Sequence, residues 1–145
     1  MRTRLLLLLI LLVAYGCSAG PDPLVDVPAL SQKTVAEVNA ILGQPVAEDP
    51  PDPTGAISTT YPVEGFSVFL VTYRQGVVSS VFGELKEPVT SHQDCFALIG
   101  LPDAAPDHHA PGMESAHDAG GWKEVSVFRA ERGGPFYRFN ATNAL

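Results

Sequence analysis

The stretch Phe66–Phe82, "FSVFLVTYRQGVVSSVF", decides the fold. Phe66, Val68 and Leu70 recur at every second position, and so do Phe69, Val71 and Tyr73, which is the period of a β-strand. Gln75-Gly76 supplies a tight turn, and the residues from Val77 onward return as a second strand, making a hairpin. Because both faces of its first strand are apolar, that strand is expected to be central in its sheet or partly covered on its far side.

Upstream of the hairpin, "KTVAEVNAILGQP" (33–45) predicts a helix. Thr34 and Glu37 have the spacing of a capping box, and Val35, Val38, Ile41 and Leu42 make one apolar face. Gly43 is placed for a left-handed stop, and Pro45 prevents the helix from resuming. Downstream the chain writes something similar. In "HQDCFALIGLP" (92–102), preceded by Ser91, Asp94 stands where Glu37 stood, Leu98 and Ile99 where Ile41 and Leu42 stood, and Gly100 and Pro102 where Gly43 and Pro45 stood. "EVSVFRAERGGPFYRF" (124–139) then predicts a second hairpin, turning around Gly133-Gly134. Both halves have the order helix, long polar loop, strand, turn, strand, which suggests a structural duplication of units 31–85 and 90–141. The expected fold is α+β: two helix-hairpin units forming an antiparallel sheet of about four to five strands, with two short helices on one face. The Pro- and Gly-rich stretches 50–62 and 102–121 fall in its loops.

The pattern "VPALSQKTVAEVNAILGQP", followed by strands and by a second "LIGLP" and "EVSVF", resembles small bacterial lipoproteins of uncharacterised function. More loosely it is similar to the helix-plus-sheet modules of the SmpA/OmlA outer-membrane lipoproteins and of the beta-lactamase inhibitor protein. The resemblance covers roughly residues 25–140 and rests on helix stops and strand patterns, which specify fold more than activity. It implies a module that binds other proteins, with no interface residue to carry over.

The N-terminus concerns location. Arg2 and Arg4 precede an uninterrupted apolar run from Leu5 to Ala14, too short at about 1.5 Å per residue to cross a bilayer, so it is expected to be a secretion signal. Ala14-Tyr15-Gly16-Cys17 resembles the lipobox of bacterial lipoproteins, in which a cysteine thiol takes a diacylglyceryl group before cleavage. It departs from that pattern at Ala14, where the family prefers Leu, and at Tyr15, where it prefers a small residue. The rival is ordinary cleavage after Gly16 or Ala19. On the lipobox reading, residues 1–16 are signal, Cys17 is the lipid-bearing first residue, 17–24 is a tether and 25–145 is one domain. The covalent lipid is then the only cofactor, and more than one acyl chain anchors stably. Ser18 after the cysteine resembles the sorting signal for the outer membrane of a diderm host, facing the periplasm.

Loss of the signal removes two of nine basic residues and none of sixteen acidic ones, leaving a formal charge of 7 minus 16, or minus 9. Such a surface repels phosphate backbones and anionic headgroups, which argues against nucleic-acid partners. Cys95 is then the one remaining thiol, expected to be a small buried hydrophobe on its helix and unable to form an internal disulfide.

Few residues point to chemistry. In "PDHHAPGMESAHDAGG" (106–121), His108, His109 and His117 lie among Asp107, Glu114 and Asp118, and imidazoles with carboxylates are ligands for zinc, copper or nickel. The spacing fits no helix-borne metal pair, and the competing expectation is a solvated loop. His92 and Cys95 share a helix face, but no nucleophile motif accompanies them. Glu48, Asp49 and Asp52 sit in Pro-rich sequence and are expected to serve solubility, so no enzymatic activity is expected. Asn140-Ala141-Thr142 fits the glycosylation sequon, which a bacterial lipoprotein signal makes irrelevant. Trp122 and Tyr137 are expected in the core. Two functions are weighed: a lipid-anchored envelope protein that binds or scaffolds another envelope protein, and a metal-binding envelope protein using the His108/His109/His117 loop with Asp107 and Asp118.

Overall fold

The computed structural model describes residues 20–143. The signal, Cys17 and the first part of the tether lie outside the described residues. A 3-10 turn at Pro28–Leu30 precedes helix α1 (Val35–Leu42) and strands β1 (Ala47–Glu48), β2 (Ile57–Thr60), β3 (Phe66–Arg74) and β4 (Val77–Val89). Helix α2 (His92–Leu98) then leads into β5 (His108–Ala110), β6 (Met113–Ala119), β7 (Trp122–Arg129) and β8 (Phe136–Thr142).

The sheet has eight strands in the order β1-β2-β3-β4-β8-β7-β6-β5, with every neighbouring pair antiparallel. This corrects the expectation of four to five strands in two hairpins. The additional strands β2, β5 and β6 fold out of the stretches expected to be loops, 50–62 and 102–121, and β1 lies just before the first of them. Apart from Ile57 and Met113 their side chains are small or polar, Ser58-Thr59-Thr60 in β2 and Glu114 to Ala119 in β6, so composition pointed to solvent while the backbone ladder recruited them. Each half is therefore a helix followed by a four-strand meander, and the halves meet at the β4–β8 seam, where Val81 faces Ala141 and Gly83 faces Phe139.

Both helices are capped as their sequences require. Thr34 Oγ1 accepts from the Glu37 N–H while the Glu37 carboxylate accepts from the Thr34 N–H at 2.9 Å. Ser91 Oγ accepts from the Asp94 N–H at 3.0 Å. Each helix is followed by a glycine with left-handed φ, Gly43 at 86° and Gly100 at 82°.

One face of the sheet carries the core. Phe69, Val71, Val81, Val125, Val127, Phe139 and Ala141 point to it, and Cys95, Phe96 and Ile99 from the α2 region pack on them. Phe66, Phe69 and Phe139 form an aromatic cluster with centroids 5.2 to 6.2 Å apart, Phe66 edge-on to both of the others. The segment 24–31 closes this layer as a strap across the end of α2. Leu24 and Val27 donate their N–H groups to the carbonyls of Leu98 and Ile99 at 2.8 and 3.1 Å, and Val25, Val27 and Leu30 are buried. Trp122, buried as expected, donates its indole N–H to the Val27 carbonyl at 3.2 Å. Tyr137 is only half-buried. In α1 only Val38 is buried, whereas Val35 and Ile41 are 40% and 47% exposed, so the apolar face expected there is mostly turned to solvent. Tyr61 ties α1 to the sheet by donating to Asn39 Oδ1 at 2.7 Å while lying 2.9 Å from the Tyr73 hydroxyl. The fold is thus a mixed helix-and-sheet domain on a buried apolar and aromatic core.

Candidate functional site

The opposite face of the sheet contributes nothing to that core. Strand alternation fixes which residues it presents, because the positions between the core residues must point the other way. One cross-strand row runs Thr60, Leu70, Phe82, Asn140, Ser126, Ser115 and His108. A second runs Val68, Glu84, Arg138, Phe128, Met113 and Ala110. Val68 is exposed, and Leu70, Phe82, Met113 and Phe128 all keep part of their surface in solvent. Arg138 Nε holds Glu84 Oε2 at 2.9 Å between the two apolar groups, so the middle of the face is a paired charge rather than an open one.

Toward the β5–β6 side the same face becomes polar. The Ser115 and Ser126 hydroxyls, both buried, share a hydrogen bond of 2.8 Å, and Ser126 also donates to Glu124 Oε1 at 2.8 Å. These bonds, Ser126 first and then Ser115, hold the Glu124 carboxyl below its ordinary pKa. Glu124 lies opposite His117 in the ladder. His117 Nδ1 lies 2.7 Å from Asp107 Oδ1, which raises the imidazole's pKa and lowers that of the carboxyl.

The histidines weighed as metal ligands are divided by the hairpin that carries them. His108 and His117 belong to the helix-free face, while His109 alternates to the other side and stands 3.9 Å from Glu114. Asp118 is paired with Lys123 at 3.0 Å, and Asp107 is engaged by His117. Among the described residues no three His, Cys, Asp or Glu side chains are grouped to hold a metal ion.

On the helix side of the hairpin lies a constellation that sequence reading missed. Glu114 takes Arg129 Nη2 on Oε1 at 3.2 Å and His92 Nδ1 beside Oε2 at 2.6 Å. Arg129 in turn stacks 4.1 Å from the centroid of the Phe136 ring and donates to the Gly134 carbonyl at 3.1 Å. This clasp fixes the first residue of α2 to β6, β7 and β8. It takes His92 out of any partnership with Cys95, which is fully buried, its thiol pushed up to about 12 by desolvation. A signal for the polar cluster on the helix-free face was present in the alternation of Ser115 with His117 and of Glu124 with Ser126, which marks strands rather than a loop.

No protein-family model matches the chain, and no curated protein does. Among solved structures it is similar to a cysteine-rich secretory protein from Staphylococcus aureus subsp. aureus Mu50, with a TM-score of 0.51 and 10% identity. The match covers 86% of this chain and 48% of that one, so the chain spans about half the length of that structure. At that identity the likeness is one of fold. Among the described residues no helix is long and apolar enough to cross a membrane.

Proposed function

We propose that the chain is a lipid-anchored protein of the bacterial cell envelope, non-catalytic, which binds another envelope protein through the helix-free face of its sheet. The observation that carries this reading is the set Val68, Leu70 and Phe82 on β3 and β4 and Met113 and Phe128 on β6 and β7, two solvent-facing apolar groups flanking β8 on the face that no helix covers. A patch of that kind, crossed by one ion pair and bordered by hydroxyls, has the make-up of an apolar contact area with a polar rim. The tether supports the reading energetically, since holding a binder at a membrane raises its effective concentration toward partners there. The anchor is Cys17, with residues 18–24 as the spacer.

Cross-linking on intact cells, read by mass spectrometry, tests it. Wild type is compared with Cys17→Ala and with Phe82→Arg. A partner captured by wild type and lost with Phe82→Arg supports the sheet face. Equal capture by Phe82→Arg, or turnover of a substrate by the purified domain, overturns it.

A further inference from the structure

The strand order of the two halves is mirrored about the β4–β8 seam, and the ends of their helices differ. At the end of α2 the strap 24–31 lies against the helix: Leu24 and Val25 donate to the Leu98 carbonyl at 2.8 and 3.3 Å, and Val27 donates to that of Ile99 at 3.1 Å. The strap comes so close that a Cβ on Gly100 would stand 3.2 Å from Asp26 Cα and 3.3 Å from the Val25 carbonyl oxygen. At the end of α1 the matching position, Gly43, has the same left-handed φ and nothing within 4 Å of its Cβ position. Among the described residues no strap N–H reaches the carbonyls of Ile41 and Leu42, which correspond to Leu98 and Ile99. The side chains there are more open too: Ile41 is 47% and Val46 66% exposed, while Leu98, which matches Ile41, is partly buried against the core, as Leu42 is.

We infer that the C-terminal end of α1 is a docking place for an extended segment of a partner protein, which would lie there as the strap lies on α2. The chain's own strap cannot serve, because it is already seated on α2. Backbone N–H groups of the incoming segment would meet the Ile41 and Leu42 carbonyls, and alternate apolar side chains would cover Ile41, Leu42 and Val46. The charge of the segment follows from its surroundings. Val46 runs directly into Glu48 and Asp49, neither of which has a salt-bridge partner among the described residues, and a helix C-terminus favours cations. The segment is therefore apolar and basic, a strap sequence with lysine or arginine where this chain's own strap has Asp26. This surface is distinct from the helix-free sheet face.

The strap itself supplies the probe. Residues 18–145, 15N-labelled, are titrated with the synthetic peptide PLVDVPALS, copied from 23–31, and with its Asp26→Lys counterpart PLVKVPALS. The expected result is amide shifts confined to residues 41–46 and their neighbours in β1, with the lysine peptide binding about fivefold more tightly at low salt and losing that advantage at high salt. Ile41→Glu and Val46→Glu, both at solvent-facing positions, should each abolish the shifts while leaving the rest of the spectrum in place. No shifts, shifts on the Phe82 face, shifts at α2 from exchange with the resident strap, equal affinity for the two peptides, or binding retained in both variants would each overturn the inference.

Discussion

Gly83 and Phe139 face each other across the β4–β8 seam, and the Phe139 ring occupies the space that a Cβ on Gly83 would need. The glycine is required here for room. Its backbone is ordinary strand, and the ring it admits joins the aromatic cluster with Phe66 and Phe69.

Gly83→Ala should therefore destabilise the domain by about 1–3 kcal/mol, the usual range for overpacking a filled core. Urea denaturation of wild type and variant measures it. Combining the change with Phe139→Leu should recover part of the loss, since the smaller side chain vacates the contested volume.

His117 should titrate above its ordinary value of 6.5, because Asp107 stabilises the imidazolium, and Asp107→Asn should bring it down. The sign of the stability effect follows on each side. The raised His117 contributes stability that is present below 6.5 and is lost as pH rises through its folded value. The lowered Asp107 contributes stability present above 3.8 and lost as pH falls through its folded value. Proton NMR of the imidazole Cε1–H from pH 4 to 9, in wild type and Asp107→Asn, checks the titration, and urea denaturation of both proteins from pH 2 to 9 checks the two signs.

Tyr61→Phe should cost about 1–2 kcal/mol, because it removes the donor to Asn39 and leaves the Tyr73 hydroxyl without its partner at a buried position. The damage should concentrate on α1, which that hydroxyl ties to the sheet. Hydrogen exchange at residues 38–42 should quicken more than exchange in β7 or β8.

Cys95 should resist maleimide or Ellman's reagent in the folded protein and react at once in denaturant, since it is fully buried and its thiol is held protonated. Cys95→Ser should cost about 1–3 kcal/mol, as a hydroxyl buried without a partner does. Cys95→Ala, which adds no polar atom, should cost less.

The legible parts of this fold were those in which local chemistry and tertiary structure agree. The capping pairs Thr34/Glu37 and Ser91/Asp94, the stops at Gly43 and Gly100, and the turns at Gln75-Gly76 and Gly133-Gly134 all stand where the residues placed them. The outer strands were not legible, because Ser, Ala, Asp and His carry weak strand signals, β2 is only four residues long, and β1 and β5 sit between prolines, Pro45 with Pro50 and Pro106 with Pro111. Such strands form because β2 and β6 can hydrogen-bond to apolar neighbours, which is a property of the assembled sheet. The placement of the histidines was illegible for the same reason: a hairpin alternates His108 and His109 to opposite faces, where a loop could have gathered them. The clasp of His92, Glu114 and Arg129 joins three elements far apart in sequence, and no local window contains it.

The seam between β4 and β8 has a kinetic consequence. Within each half every strand pairs with its neighbour in the chain, so those ladders close short loops, whereas Ser80 finds Thr142 only after about sixty intervening residues have been arranged. The two meanders should gather early and the seam should lock late, giving a transition state in which Phe139, already paired with Val127 in its own meander, has not yet met Phe66 and Phe69. Phe139→Leu should then accelerate unfolding while leaving the refolding rate nearly unchanged.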